Sequence, residues 1–249
     1  MKILTDLHTH TNVSQHALST LIENARYAAS IGLELIAITN HGPSKGTWGE
    51  DGPHPWHFES LRFVPKIVEG ITVLRGAEAN VLDANGTLDI DDRILKTLDF
   101  VIASCHDYVY EPGSDESFLR VYTALCNNPY VDMLGHACRK PWDKHLDEVI
   151  QMAKQNNKII EINYESFNRA KHKNAVKNLI DRCAALQCPV AVNSDAHFCY
   201  AIGEYTGAIK YMKSIDFSEH LIINRNKQAV LEFLGKRSRG SASSYYSPQ

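Results

Sequence analysis

The segment Lys2–His10 reads KILTDLHTH, a short apolar run that continues into alternating polar residues. In an extended chain successive side chains point to opposite faces, so His8 and His10 lie on one face. One metal ion can accept both imidazoles. Asp6 is a candidate hydrogen-bond acceptor that would orient a ligating imidazole. The segment therefore predicts a strand that carries metal ligands at its carboxyl end.

Six further β-like runs follow along the chain and alternate with helical patterns. They are short, rich in Ile, Val and Leu, and lack clean alternation, which is typical of strands buried on both faces. Seven such runs alternating with helices predict a (β/α) barrel or an open α/β sheet. The runs are Lys2–Thr5, Glu34–Thr39, Thr72–Arg75, Asp99–Ser104, Val131–Gly135, Lys158–Asn163 and Pro189–Asn193.

Helical patterns and turn signals separate these runs. Thr20 and Glu23 have the spacing of a capping box, and Gly32 is a suitable residue to end the same helix. The pair Asn85-Gly86 predicts a hairpin turn after the third run. Four more segments have helical patterns: Phe58–Val68, Asp115–Asn127, Leu146–Asn156 and Asn174–Leu186.

Potential metal ligands follow six of the seven runs. Barrel enzymes build their active sites at the carboxyl ends of the strands, so we expect these side chains to meet. Imidazoles and carboxylates without thiolates suit Zn²⁺, Mn²⁺ or Fe²⁺ in a catalytic site. The candidate ligands are His8, His10, His16, His41, Glu78, His106, His136, Asp195 and His197. Nine ligands predict two or three ions, with Glu78 or Asp195 bridging.

Composition limits the classes of function. The net charge is −3 without a basic stripe, which argues against long nucleic acid as the main partner. The polar start of the chain, the scattered cysteines and the lack of an apolar run of ~18 residues predict a cytoplasmic protein without a membrane span. We expect one domain over residues 1–237 and a disordered tail over 238–249. The oligomeric state stays open.

These motifs together resemble the four-motif pattern of the PHP (polymerase and histidinol phosphatase) family. The resemblance runs from about residue 3 to about residue 235. It implies a distorted (β/α)7 TIM-like barrel with a trinuclear centre, usually zinc, that hydrolyses phosphoesters. The segments Pro55–Phe58, Leu74–Asn80 and Phe233–Leu234 are most similar to its YcdX-like phosphatase branch. The residues that carry the family pattern are Asp6–His10, Asn40–Gly42, Glu78, His106, His136 and Ser194–His197.

The resemblance also implies how the ligands are shared. The implied sets are His8, His10, Glu78 and Asp195 for one ion, Glu78, His106 and His136 for a second, and His16, His41 and His197 for a third. This chain departs from the family at two places. Asn40 stands where Asp is common, which removes a negative charge beside the ions, and His136–Arg139 replaces the usual His-Pro, so the substrate is not implied.

The chemistry implied is that of a metal-dependent phosphatase, in which a metal-activated hydroxide attacks a small phosphorylated substrate. His57 is a candidate phosphate donor or general acid, and Arg139 a candidate phosphate clamp. Arg75 could clamp phosphate or pair with a carboxylate. One alternative is a metal-dependent amidohydrolase, although the bridging lysine that those enzymes often use is not found among the strand-end ligands. A second alternative is a non-catalytic regulatory domain that only holds metals.

Overall fold

The fold is described from a computed structural model that covers residues 1–43, 53–137 and 145–237. Seven parallel strands form the wall of a barrel, and a two-residue strand pairs antiparallel to one of them. The strands are β1 (Thr5–Thr9), β2 (Leu35–Ile38), β3 (Ile67–Val68), β4 (Ile71–Asn80), β5 (Phe100–Ser104), β6 (Met133–Gly135), β7 (Ile159–Asn163) and β8 (Val190–Asn193).

The strand order is β1-β2-β4-β5-β6-β7-β8, with β3 beside β4 at the sheet's side. The first and last strands meet through a parallel bridge between Thr9 and Ala196. Two backbone hydrogen bonds close this seam, from Asp195 N to His8 O at 3.0 Å and from His10 N to Ala196 O at 2.9 Å. The predicted distorted (β/α)7 barrel is confirmed, and the open-sheet alternative is wrong.

Helices connect the strands and cover the outside of the barrel. Within the described ranges, no helix is both long enough and apolar enough to cross a membrane. The helices are α1 (Leu21–Ser30), α2 (Trp56–Ser60), α3 (Asp92–Leu95), α4 (Asp115–Asn127), α5 (Leu146–Gln155), α6 (Tyr164–Asn168), α7 (Lys173–Leu186), α8 (Thr206–Ser214) and α9 (Lys227–Gly235).

Local signals in the sequence set several of these elements. The capping box is present at α1, where Glu23 N donates to Thr20 Oγ1 at 3.3 Å and Thr20 N donates to Glu23 Oε2 at 2.7 Å. Gly32 follows α1 with a φ of +81°, a conformation that glycine adopts without strain. Gly86, with a φ of +72°, makes the predicted turn between Val81 and Leu88.

Several predicted elements have different bounds. The third run, predicted over Thr72–Arg75, is the longer strand Ile71–Asn80, so Glu78 lies within the strand and not after it. The first strand is Thr5–Thr9 rather than Lys2–Thr5, because its buried polar residues line the barrel interior instead of ending the strand. The helix predicted over Phe58–Val68 ends early: α2 passes into a 3-10 turn, and Val64 is extended. Pro65 explains this end, since the residue before proline avoids the helical region.

The barrel interior is divided along its axis. At the amino end of the strands, Val230, Phe233 and Leu234 of α9 pack against inward-facing apolar side chains such as Leu7 and Phe100. The carboxyl end of the interior is lined instead by buried histidines, carboxylates and asparagines. This division places an apolar plug below a polar chamber.

Asn224 joins the two closing strands near the amino end. Its amide donates to Val192 O at 2.6 Å and Thr5 O at 3.0 Å, and its Oδ1 accepts from Val192 N at 2.9 Å. The side chain is fully buried. The Asn224 side chain therefore connects β1 and β8 by hydrogen bonds at Thr5 and Val192.

We expect Asn224→Ala to lower the free energy of unfolding by about 2–4 kcal/mol, because it leaves buried backbone groups of both strands without partners. Urea unfolding followed by circular dichroism measures the effect. Asn174→Ala, on the exposed face of α7, is the matched control and should change stability by less than about 0.5 kcal/mol. Equal midpoints for the two variants would contradict this role of Asn224.

Candidate metal centre

All nine predicted ligands converge on the carboxyl end of the barrel. Strands β1 and β4 carry one each, His8 and Glu78, His10 follows β1 directly, and the loops after β1, β2, β5, β6 and β8 supply the others. Their donor atoms form overlapping groups that can hold metal ions, including His8 with His10 and Glu78, His41 with Glu78 and His106, and His10 with His41 and His197. The predicted meeting of these side chains is therefore observed.

Glu78 lies at the middle of this cluster, fully buried in β4. Its Oε1 is 3.0 Å from His136 Nε2 and 3.3 Å from His106 Nε2. Its Oε2 is 2.8 Å from His41 Nδ1 and 3.3 Å from His8 Nε2. The two oxygens thus face different pairs of imidazoles, which is the arrangement a bridging carboxylate requires.

Asp195 faces the same space from the β8 side. Its Oδ1 is 3.0 Å from His10 Nε2 and 3.4 Å from His8 Nε2, and its Oδ2 is 3.6 Å from His136 Nε2. Asn163 donates an amide hydrogen bond to Oδ2 at 3.2 Å. Asp195 therefore connects the β1 histidines with the β6 side of the cluster.

His16 and His197 form the more exposed edge of the cluster. Their Nε2 atoms are 2.9 Å apart, and the His16 ring stacks on His41 at a centroid distance of 5.0 Å. The His197 side chain is 30% exposed, whereas those of the β1 histidines are fully buried. Solvent, and hence a substrate, reaches the centre from this edge.

The charge states suit cation binding. Burial raises the pKa of the Glu78 carboxyl, but His8, His106 and His41 together hold it well below its usual range, so the group is ionised. Burial, and then His197 and His41, lower the pKa of His16 to about 4. A neutral imidazole offers the lone pair that a metal needs.

The donor set fits divalent ions. Glu78 Oε2 and His41 Nδ1 lie 2.8 Å apart but lack the geometry of a hydrogen bond. These two atoms and His136 Nδ1 are buried without a hydrogen-bond partner in the described part of the chain. Two ligands on one tetrahedral zinc ion, with bonds of about 2.0–2.1 Å, stand about 3.3 Å apart. Most carboxylate–imidazole separations in the cluster are 3.0–3.6 Å. Nitrogen and oxygen donors at this spacing match zinc.

Two residues that orient ligands were not predicted from the sequence. Glu161 Oε1 is 2.6 Å from His8 Nδ1, and Asn80 Oδ1 is 2.6 Å from His106 Nδ1. Asp6, expected to orient an imidazole, instead accepts backbone hydrogen bonds from His8, Ser194 and Gly203. Glu161 could have been noticed because it is a charged residue inside the apolar run Lys158–Asn163.

Three further residues were predicted to contact the phosphate: His57, Arg75 and Arg139. His57 contacts Asn40, whose Nδ2 is 3.1 Å from His57 Nε2. Arg75 pairs with Asp99 at 2.7 Å near the amino end of β5, which is the second of its two predicted roles, pairing with a carboxylate. Arg139 and the tail 238–249 lie outside the described residues.

Comparison with known proteins identifies the family. Residues 6–165 match the PHP domain. The chain belongs to the PHP family. A protein of Caldanaerobacter subterraneus subsp. tengcongensis named as a probable phosphatase is 38% identical over 242 residues, which cover 96% of this chain and 94% of that protein. Another probable phosphatase, from Clostridium acetobutylicum, is 36% identical over 96% of this chain and 97% of its own length.

Solved structures share the barrel of this PHP protein. Histidinol phosphate phosphatase from Lactococcus lactis, solved with zinc, L-histidinol and phosphate, has a TM-score of 0.59 at 18% identity, over 88% of this chain and 95% of that one. A chain of an archaeal ribonuclease P complex with mature tRNA has a TM-score of 0.57 at 11% identity, over 98% and 97%. At such identities the likeness shows the fold alone.

We expect Glu78→Gln to release at least one metal equivalent from a protein that otherwise holds more than one, because the amide keeps the shape but loses the bridging charge. Elemental analysis after incubation with zinc and removal of unbound metal measures the content. Glu148→Gln, on the exposed face of α5, is the control, and circular dichroism verifies the fold. Full metal content in Glu78→Gln would show that no bridge exists.

Proposed function

We propose that this protein is a phosphatase that hydrolyses phosphate esters of small molecules at a centre of three divalent ions, with zinc as the ion that the donor chemistry favours. The observation that carries the proposal is the position of Glu78, with one oxygen toward His106 and His136 and the other toward His8 and His41. The relatives named as probable phosphatases support the same reaction.

In this proposal each ion has a set of protein ligands that leaves room for substrate. The buried sets share Glu78, and the third set lies at the more exposed edge. The sets are His8, His10, Glu78 and Asp195; Glu78, His106 and His136; and His16, His41 and His197. Mn²⁺ and Fe²⁺ suit the same donors.

Bound ions supply positive charge that polarises the phosphoryl group and lowers the pKa of water toward neutrality. The protein's part is to hold the ligands in fixed orientations and to exclude bulk water from the buried side. The burial of Glu78 and Asp195 serves this purpose, since charge interactions strengthen when water is excluded. The exposed edge at His16 and His197 admits the anionic substrate.

The amidohydrolase alternative commonly requires a bridging lysine. Lys158 is a buried lysine, but it precedes β7 at the amino end of the barrel, where its ammonium donates to Asn128 O and Val131 O. The regulatory alternative keeps metals without substrate turnover, and the open edge of the centre favours a catalytic role over it.

His57 is proposed to act on the phosphoryl group as a hydrogen-bond donor. Asn40 Oδ1 accepts from Thr11 N, Thr11 Oγ1 and Ser14 Oγ, which turns the Asn40 amide nitrogen toward His57. His57 Nε2 therefore accepts, and the ring proton lies on Nδ1. Burial lowers the pKa of His57, so the ring is neutral at neutral pH and a poor proton donor to a leaving group.

The zinc-loaded protein should hydrolyse an aryl phosphate faster than the matching aryl ester or anilide, because its charge is arranged around a phosphoryl-sized anion. Release of the aryl alcohol or amine, measured under identical conditions, provides the comparison. A bis-aryl phosphate included in the series distinguishes diesters from monoesters. Faster cleavage of the amide or of a lactone would replace this proposal with the amidohydrolase one.

His57→Ala should keep its metal and lose about 2–10-fold in rate on both an aryl and an alkyl phosphate, the value of one hydrogen bond. A general acid would instead contribute about 10²–10⁴-fold, and chiefly with the alkyl leaving group. His54→Ala, three residues earlier and exposed, is the control. Unchanged rates on both substrates would exclude either role.

A further inference from the structure

Glu161 is a buried carboxylate that the proposed ligand sets do not use. It lies in the middle of β7, and its side chain is fully buried inside the barrel. Its neighbours Ile160 and Ile162 belong to the apolar core outside the wall. Burial of an ionised carboxylate is costly unless hydrogen bonds compensate it, so this position requires strong donors.

Both oxygens of Glu161 have such donors. Oε1 is 2.6 Å from His8 Nδ1 and 3.1 Å from Asn193 Nδ2. Oε2 accepts from the backbone N of His136 at 3.0 Å, and Asn163 Nδ2 lies 3.4 Å away. The carboxylate thereby joins two predicted ligands that come from different strands, His8 of β1 and His136 after β6.

The contact with His8 determines which ring nitrogen carries the proton. An ionised carboxylate only accepts hydrogen bonds, so His8 Nδ1 is the donor. In the neutral imidazole that a metal requires, the lone pair is then on Nε2, which lies 3.3 Å from Glu78 Oε2 and 3.4 Å from Asp195 Oδ1. Glu161 therefore presents the ligating nitrogen of His8 toward the centre of the cluster.

The contact with His136 acts on the backbone. His136 has a φ of +49°, in the left-handed region that residues with a Cβ rarely adopt. In this conformation its Nε2 lies 3.0 Å from Glu78 Oε1. The hydrogen bond from His136 N to Glu161 Oε2 opposes relaxation of this strained backbone.

Glu161 also forms a candidate ligand group with His8 and His136, but its short contact with His8 favours a hydrogen bond over a shared ion. Two ligand atoms on one tetrahedral ion stand about 3.3 Å apart. The 2.6 Å between Glu161 Oε1 and His8 Nδ1 is instead that of a short hydrogen bond to a charged acceptor. Moreover, His8 contacts Glu161 through Nδ1, whereas its other ring nitrogen, Nε2, is the one that faces Glu78.

We propose that Glu161 is a positioning residue that sets the tautomer of His8 and the backbone of His136, and so prepares two ion positions at once. The inference rests on the metal centre of the proposed function. It concerns metal affinity in the absence of substrate, so it is tested independently of the reaction that the centre catalyses.

Glu161→Gln is the main test, because the amide keeps the size of the side chain and replaces one acceptor oxygen by a donor. We expect zinc affinity, measured by competition with a chelating indicator, to fall about 10–100-fold. The number of equivalents bound at saturating zinc should stay that of the wild type. The hydrogen-bonded Nδ1 proton of His8, a downfield NMR signal in the metal-free protein, should be lost.

Glu165→Gln is the matched control, with the same substitution four residues along the chain on the outer helix α6. It should keep the affinity and the NMR signal. If metal-free Glu161→Gln does not fold by circular dichroism, Glu161→Asp replaces it. This variant keeps the charge but is too short to reach both His8 and His136, so its affinity should also fall.

Two results would overturn the inference. Loss of a whole equivalent at saturating zinc would make Glu161 a direct ligand. Unchanged affinity with an unchanged His8 signal would make it a structural residue of the barrel. If Glu161→Gln binds zinc more weakly and the wild type has no phosphatase activity, the inference holds and the proposed function fails. If the wild type is active and Glu161→Gln binds zinc with unchanged affinity, the proposed function holds and the inference fails.

Discussion

The structure depends on the burial of ionised carboxylates inside a closed barrel. Glu78, Glu161 and Asp195 are all held below their usual pKa range, although burial alone would raise the pKa of each. Histidines provide the nearest compensation, and a neutral imidazole compensates only as a hydrogen-bond donor. Burial of this negative charge makes the cluster costly to fold, and bound divalent cations would compensate it.

The apolar amino end of the barrel interior offsets the unfavourable free energy of burying these carboxylates at the carboxyl end. The α9 side chains fill the amino end with apolar contacts, and Asn224 ties β1 to β8 beside them. The carboxyl end can then consist almost entirely of polar groups without loss of the closed wall. Stability and chemistry are therefore assigned to opposite ends of the same strands, as in other barrel enzymes.

The sequence predicted the ligands better than the residues that orient them. His8 and His10 follow from the alternation of side chains in a strand, and α1 follows from its capping box, because both signals are local. Glu161 and Asn80 gain their roles only from partners on other strands, so no spacing along the chain reveals them. The extent of β1 was misjudged for a related reason: inside this barrel, buried polar residues continue a strand instead of ending it.

The closing seam also has a consequence for the order of assembly. Thr5 and Asn224 are 219 residues apart, and His10 and Asp195 are 185 apart. At synthesis rates of about 5–20 residues per second, the first strand waits roughly 10–40 s on the ribosome before its seam partners emerge. Throughout that interval β1 has one unpaired edge, and His8 and His10 lack their partner Asp195. The unpaired edge leaves nascent chains of this barrel open to strand pairing with other chains until the last β-strand arrives.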